Sequence, residues 1–349
     1  VKICFVISTL SKGGAERVLS VLANHLSKEF DITIFKFDSM SPFYDILPDV
    51  KVVSANLSVE NLGFLKNLTK RFEKFIVLRK FLKENKFDAV ISFLDYMNIL
   101  TLLANKDQRI FISEHTNHSF LKSKIWKILK RLTYPKAKAL SVLTSYDLIY
   151  YKKFVKNVEI IQNPMFEFQK GDLKKENIIL AAGRLEIFKG FDVFLKSLSL
   201  IDKNLLKNWK IIIAGDGILR DELENLAKEL NLKVEFLGFV KDIQTYYEKS
   251  KIVVVTSRAE GFCNILMESI FFDCARISTD CIAGPSELIK DDFDGYLCEV
   301  DDEKMIANRL ENLMKDEDLR DKFVQNANFR RESFLVENIG KKWINLIKI

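Results

Sequence analysis

The chain has few of the residues that covalent and metal-dependent architectures rely on. Its 349 residues include five cysteines, Cys4, Cys263, Cys274, Cys281 and Cys298. Their number is odd and no C-x-x-C pair occurs, which argues against a disulfide framework and a thiol zinc site. Free thiols in a reducing compartment fit best. Three histidines are too few for an obvious zinc cluster. Long apolar runs are also missing: no eighteen consecutive residues are apolar and uncharged, so no transmembrane helix is expected. The opening VKICFVISTL is apolar but short, lacks a basic n-region and a small-residue cleavage site, and runs straight into SKGGAER. It is expected to be a core strand, and the protein to be cytosolic.

What is present points to a two-domain α/β protein. A chain of this length exceeds what one core usually supports, and a hydrophobic fraction of 48% is too high for disorder. Short runs rich in Val, Ile and Phe alternate with longer segments of helical period. KICFVIS, ITIFKF, DAVISFL, RIFISE, ALSVL and VEIIQN are the expected strands of the first half; NIILAAG, WKIIIAG, KVEFLG, KIVVVTS and ARISTD are those of the second. Such nearly continuous apolar runs predict parallel strands buried on both faces. The alternation predicts two doubly wound domains. Residues 162–177, polar with Pro and Gly, read as the linker, giving domains 1–163 and 164–349. The tail from Asp301 reads as helical throughout, and a last helix there could cross back onto the first domain. Charge is uneven: 26 Lys+Arg face 15 Asp+Glu in residues 1–165, against 28 and 33 in the remainder. A basic front half suggests an anionic partner: nucleic acid, a membrane surface or a phosphorylated substrate.

Three loops carry candidate chemistry. In STLSKGGAERV, Gly13 and Gly14 allow close backbone approach at a helix start, although the pattern is not G-x-G-x-x-G. In AAGRLEIFKGF, Arg184 and Lys189 follow a strand, where ligands of open α/β sheets bind. Arg grips a diphosphate bidentately and Lys adds a point charge, yet exposed cations are more often solvated surface. In SRAEGFCNILMES, Glu260 and Glu268 stand eight positions apart. Gly261, Phe262, Cys263 and Asn264 are expected to form a first helical turn offering N–H groups to phosphate, with Glu268 about two turns in. The two carboxylates would then grip opposite ends of one nucleotide sugar. The plainer alternative is a loop glutamate and a surface-helix glutamate. DDFDG, Asp291 to Gly295, is read as a turn, and no catalytic metal or other cofactor is expected.

Taken together, GGAERV, GRLEIFKG, AGDGILRDELE, FLGFV and EGFCNILMES resemble glycosyltransferase family 4, in the same order and over almost the whole chain. The resemblance implies the GT-B architecture: two Rossmann-like domains facing a central cleft. It also implies retaining chemistry, of which the E-x7-E spacing is one mark. ISFLDYMNI, ISEHTNHSFLKSKIWKILKRLTYP and ALSVLTSYDLIYY carry a closer likeness to the PglH type, which extends polyprenyl-diphosphate-linked glycans for protein N-glycosylation, with UDP-GalNAc as donor. The first domain would then bind acceptor and associate with the membrane, and the second would bind the nucleotide sugar. Gly14 would offer its N–H to the diphosphate, Arg184 and Lys189 would hold it, and Gly238, Phe239 and Val240 would lie by the base. Glu268 would bind the ribose, while Glu260 and His115 would meet the donor sugar as the catalytic candidates. Pro164 stands where many relatives have Asn-Gly-Val-Asp, so the hinge is expected to move differently.

The basic half gains a role from the same likeness. Residues 61–84 read as an amphipathic helix, with Leu65, Leu68, Phe72, Phe75 and Ile76 on one face. Lys66, Lys70 and Lys74, with Arg71, lie on another, suited to a lipid-linked pyrophosphate or anionic headgroups. A second basic stretch, FLKSKIWKILKRLTYPKAK, sets Trp126 among lysines. The leading expectation is a peripheral enzyme on the cytoplasmic face of the inner membrane. It would move GalNAc in α linkage from UDP-GalNAc to an undecaprenyl-diphosphate-linked oligosaccharide. The alternative is a lipopolysaccharide or capsule transferase using another nucleotide sugar. A nucleic-acid-binding protein would explain the charge but not the two glutamates, so no nucleic-acid partner is expected.

Overall fold

The computed structural model describes every residue except 58–63, 106–108, 166–167, 169–170, 172 and 349, and leaves out the side chains of 64–68. The chain forms two compact units, Val1–Phe166 with Phe334–Ile349, and Glu167–Ser333. The linker read over 162–177 lies partly outside the described residues.

The first unit holds a seven-stranded sheet of β1 (Lys2–Val6), β2 (Asp31–Lys36), β3 (Lys51–Ser54), β4 (Ala89–Phe93), β5 (Ile110–Ser113), β6 (Ala139–Val142) and β7 (Val158–Ile160). Its order is β3-β2-β1-β4-β5-β6-β7, with every pairing parallel. Alternation within β1 feeds two cores, because successive side chains leave a strand on opposite faces. Ile3 and Phe5 pack with Leu19, Leu22 and Leu26 of the helix Gly14–Leu26. Cys4 and Val6 pack with Phe35, Leu78 and Met97. The helix Val336–Lys348 completes the first of these cores through Ile339, Trp343 and Leu346. A Cβ on Gly340 would come 2.5 Å from His25 Cδ2, so glycine permits this close approach of two helices.

The second unit holds β8 (Glu176–Ala182), β9 (Lys210–Ala214), β10 (Val234–Gly238), β11 (Ser250–Val255), β12 (Ala275–Thr279) and β13 (Tyr296–Cys298). They are ordered β10-β9-β8-β11-β12-β13, again all parallel. The helices Phe191–Ser199 and Glu303–Lys315 cover one face through Phe194, Leu198, Leu310 and Leu313.

The expected strands all form. Two more, β3 and β13, were not read from the sequence: they have four and three residues, lie at sheet edges, and carry too few apolar positions for a periodic signal. Among the described residues no helix is long and apolar enough to cross a membrane.

Candidate functional site

Each sheet has a point where strand order reverses. In the second unit it lies between β8 and β11, whose following loops diverge to opposite sides. Ligands of doubly wound sheets bind beyond the carboxyl ends of such strands. The loop after β8 carries Arg184 and Lys189; the loop after β11 carries Glu260. Lys189 Nζ donates to Glu260 Oε1 at 2.7 Å, and Ser257 Oγ donates to the same oxygen at 2.6 Å. Glu260 is 6% exposed. Burial by itself would push the Lys189 ammonium down, but the Glu260 carboxylate beside it reverses this and holds its pKa above the ordinary value.

The loops are locked by backbone. Gly183 N–H donates to Ala214 O, Leu185 N–H to Asp216 O, and Gly215 N–H to Gly238 O. Thr256 Oγ1 donates to Gly190 O at 2.8 Å. Gly190 has φ +66° between a 3-10 turn, Ile187–Lys189, and the following helix, and a Cβ there would lie 2.0 Å from Thr256 O. Gly190→Ala is therefore expected to push the Lys189 loop off β11. It would cost about 1–3 kcal/mol of stability, read by thermal unfolding; an unchanged melting temperature would refute the role given to this glycine.

Arg258 was not singled out in the sequence. Its guanidinium grips Asp192 at 2.9 and 2.7 Å, Asp301 at 2.7 Å and Ile187 O at 2.6 Å, and the backbone N–H of Arg258 donates to Phe188 O. It ties the Glu260 loop to the Lys189 loop. Asp192 holds this guanidinium's pKa above its usual range. Nothing in local sequence marks such a clamp, since its three partner segments are distant along the chain.

The segment after Glu260 departs from the expected first turn. The helix begins at Asn264, with Cys263 as its N-cap at φ −82°, ψ 86°, and Asn264 N–H closes onto Phe262 O in a three-residue turn. Gly261, Phe262 and Cys263 thus precede the helix instead of opening it. Phe262 and Cys263 are buried, and burial pushes the Cys263 thiol well up, which makes it a packed hydrophobe and not a nucleophile. Glu268, on the helix Asn264–Phe271, is 1% exposed, so the surface-helix alternative for it is excluded. Its Oε2 accepts from the Tyr247 hydroxyl at 3.0 Å. Tyr247, too, was not anticipated. Arg184 is largely exposed and pairs with Glu186 at 3.1 Å. Gly238 ends β10 with φ +70°, and Phe239, which follows it, is exposed; Val240 is half-buried. Asp291 and Asp294 of the DDFDG turn are bound by Arg309 and by Arg276 and Arg330, respectively.

In the first unit the reversal lies between β1 and β4. Gly14 opens the helix after β1, with Gly13 as its extended N-cap. The Glu16 carboxylate lies back over Gly13, where a Cβ would come 1.9 Å from Oε2, and burial raises the pKa of this acid. His115 follows β5. Its ring stacks on Phe93 with centroids 5.2 Å apart, and Nε2 lies 3.0 Å from Ser113 Oγ. Burial lowers its pKa to about 4, with Asn163 opposing weakly, so the imidazole is neutral near pH 7.

The helix Phe64–Glu84 divides its apolar residues between the core and solvent. Leu78 and Leu82 are buried, Phe75 is half-buried, and Phe72 and Ile76 are exposed. The inward face follows the contact with Phe35 and Met97. Arg71 lies over the Tyr96 and Trp126 rings, and Lys74 over Phe37 and Tyr96. Burial lowers the Lys74 pKa, and Lys70 and Arg71 lower it further. Lys66, Leu65 and Leu68 lie outside the residues whose side chains are described.

The family model Glycosyltransferase Family 4 matches residues 12–165, and Glycosyl transferases group 1 matches residues 164–330. A Campylobacter jejuni protein named GalNAc-alpha-(1->4)-GalNAc-alpha-(1->3)-diNAcBac-PP-undecaprenol alpha-1,4-N-acetyl-D-galactosaminyltransferase is 43% identical, over 99% of this chain and 98% of that one. A second C. jejuni protein, N-acetylgalactosamine-N,N'-diacetylbacillosaminyl-diphospho-undecaprenol 4-alpha-N-acetylgalactosaminyltransferase, is 32% identical over 95% of both chains. The crystal structure of Anabaena HepE in complex with UDP and glucose superposes with a TM-score of 0.80, covering 99% of each chain at 17% identity, a likeness of fold.

Proposed function

This chain belongs to glycosyltransferase family 4 and is a hexosyltransferase of the GT-B fold; from that premise we propose that it takes N-acetylgalactosamine from UDP-GalNAc and transfers it in α linkage to an undecaprenyl-diphosphate-linked oligosaccharide. The observation that carries the reading is the buried Lys189–Glu260 pair at the β8/β11 reversal, in a chain alike over 99% of its length to a transferase of that specificity.

The second unit is the proposed nucleotide-sugar domain. Arg184 and Lys189 would hold the diphosphate and stabilise the charge that grows on departing UDP. Glu260 would meet sugar hydroxyls while fixing Lys189. Glu268 would take the ribose diol, with Tyr247 setting the plane of its carboxylate. Gly238, Phe239 and Val240 would border the base. Cysteine, glycine and aromatic residues around Glu260 supply no evident general base. The retaining chemistry implied by the family has the acceptor hydroxyl attack from the leaving-group side and pass its proton to a donor phosphate oxygen, which this base-poor surrounding suits. These two protein cations would take the place a metal holds in other transferases.

The first unit is the proposed acceptor domain, working at the cytoplasmic face of the membrane. Gly14, after β1, would offer its N–H to the donor diphosphate, and His115, after β5, would meet the donor sugar, in the neutral form able to donate or accept one hydrogen bond. Lys70, Arg71 and Lys74 would receive the acceptor pyrophosphate. The depressed pKa of Lys74 beside two further cations favours a polyanion there.

The test is turnover with a short lipid-diphosphate-linked glycan, with EDTA present, comparing UDP-GalNAc, UDP-GlcNAc, UDP-glucose and GDP-mannose. Transfer from UDP-GalNAc alone is expected. Transfer only from another donor would keep the enzyme class and point to lipopolysaccharide or capsule assembly; activity abolished by EDTA would overturn the metal-free site.

A further inference from the structure

A histidine and an aspartate meet beyond the carboxyl ends of β5 and β6, and the nucleotide-sugar chemistry uses neither. His118 opens the 3-10 turn His118–Phe120 after β5, and Asp147 stands on the helix Ser145–Tyr151 after β6. They share the ligand-binding edge of the first sheet with Gly14 and His115. His118 Nδ1 lies 2.7 Å from Asp147 Oδ1, and the His118 backbone N–H donates to the same oxygen at 2.9 Å. Asp147 is 3% exposed, and its Oδ2 accepts from the Thr144 hydroxyl at 2.9 Å. A carboxylate only accepts, so Nδ1 carries the proton, and Nε2 of the neutral ring is left as an acceptor on the opposite edge. Among the described residues none bonds Nε2.

The imidazole is also fixed in plane. It lies parallel to the Tyr150 ring, with centroids 3.8 Å and planes 7° apart, and stacks on Tyr146 at 4.7 Å and 21°. Tyr146 and Tyr150 are four residues apart on one helix and share a face. The turn is fixed as well: buried Asn117 accepts the Ser119 N–H at 2.9 Å through Oδ1, and Leu121 N–H closes onto His118 O. Ring orientation, tautomer and loop are thus set before any ligand arrives, as a binding group requires. The imidazole is not sealed in, since its side chain keeps 16% exposure. Around it the surface is aromatic, with Tyr146 39% and Phe120 41% exposed.

We propose that His118, Tyr146 and Phe120 form a subsite for one sugar residue of the acceptor glycan. His118 Nε2 accepts a hydrogen bond from a sugar hydroxyl, and the aromatic faces take the C–H side of the sugar ring. Apolar surface with a few oriented polar groups is the usual make-up of a small-molecule site. Charge separates this ligand from the acceptor's pyrophosphate. The pair brings a carboxylate, and among the described residues no lysine or arginine bonds Asp147, so a neutral hydroxyl suits the site and a polyanion does not. Position favours acceptor over donor, because these residues all belong to the first unit, whereas Lys189, Glu260 and Glu268 belong to the second. The inference deepens the reading of the first unit as the acceptor domain and rests on it. Asp147 is a positioning residue: it decides which ring nitrogen is bare.

Calorimetric binding of a soluble short-chain diphosphate-linked glycan, without donor, tests it beside steady-state kinetics on the same glycan. H118F keeps a ring to stack on Tyr150 but has no Nε2. Y146A removes an aromatic face at an exposed position, and carries the test if H118F melts early. Each is expected to raise the acceptor Kd and KM by about tenfold, the effect of one lost hydrogen bond or ring contact. Donor KM and the Kd for UDP should stay at wild-type values. D147N should raise acceptor KM by less, because an amide donating to Nδ1 moves the ring proton to Nε2, where a sugar hydroxyl can still accept it. Unchanged acceptor Kd in both H118F and Y146A would overturn the proposal. Equal losses toward acceptor and UDP would do so too, marking the pair as structural only. So would a parallel loss of inorganic pyrophosphate binding, which would assign the residues to the anionic part of the acceptor. Acceptor Kd is read without donor, so transfer from a nucleotide sugar other than UDP-GalNAc would correct the donor and leave the subsite standing.

Discussion

Glu260→Gln is expected to cut kcat/KM for the nucleotide sugar by about 10²–10³, while UDP alone still binds. Oε1 of this carboxylate accepts both Lys189 and Ser257, in a position 6% exposed. The amide keeps shape and one acceptor but removes the charge. Lys189 then loses its counter-ion at a site burial already disfavours. If Glu260 only anchored Lys189, binding of UDP and of the UDP-sugar would weaken by the same factor. If it meets the sugar, the UDP-sugar should lose far more than UDP. Equal losses, measured by calorimetry beside steady-state kinetics, would sink the sugar-binding role. The effect should not vary with pH near neutrality. Lys189 has its pKa raised above the ordinary 10.5, so its pairing contributes fully below that value and is lost only as pH rises through the higher folded one.

Arg258→Ala should produce the second large effect, this time on stability and donor KM together. Its guanidinium makes two bonds to Asp192, one to Asp301 and one to the Ile187 carbonyl. Losing a partly exposed, charge-assisted set of this kind costs about 2–3 kcal/mol. The Lys189 turn would also lose its tether to the Glu260 loop. Donor KM is expected to rise about tenfold or more, because small misplacements of a binding group are costly, with kcat reduced less. Arg258→Lys should restore little, since an ammonium cannot make the bidentate bond to Asp192. An alanine variant of wild-type donor KM, whatever its melting temperature, would show Arg258 to be structural only.

Much of this was legible in order along the chain. Strands buried on both faces announce themselves as unbroken Val/Ile/Phe runs, and the central strands stood out for that reason. The edge strands β3 and β13 did not, because runs of four and three residues are too short to show a period. The loops bearing Lys189 and Glu260 were visible as polar breaks after strands. Their meeting was not, since 71 positions separate them and only the parallel pairing of β8 with β11 brings those ends together. Arg258 and Tyr247 gave no local signal, as each acts on a partner distant in sequence.

The sequence by itself determined the class of the protein: its apolar periods require two doubly wound sheets, and the ordered motifs mark the glycosyltransferase family. Those features are local, written in side-chain alternation and in short loops whose chemistry lies within a few residues. Tertiary structure alone decided which way each amphipathic helix faces. Helical period fixes which residues share a face, but not whether that face turns inward. In Lys124–Thr133, Trp126 and Leu129 pack against the core and Asp95, Glu114 and Tyr151 hold Lys130 in the interior, while Ile125 and Ile128 stay outside.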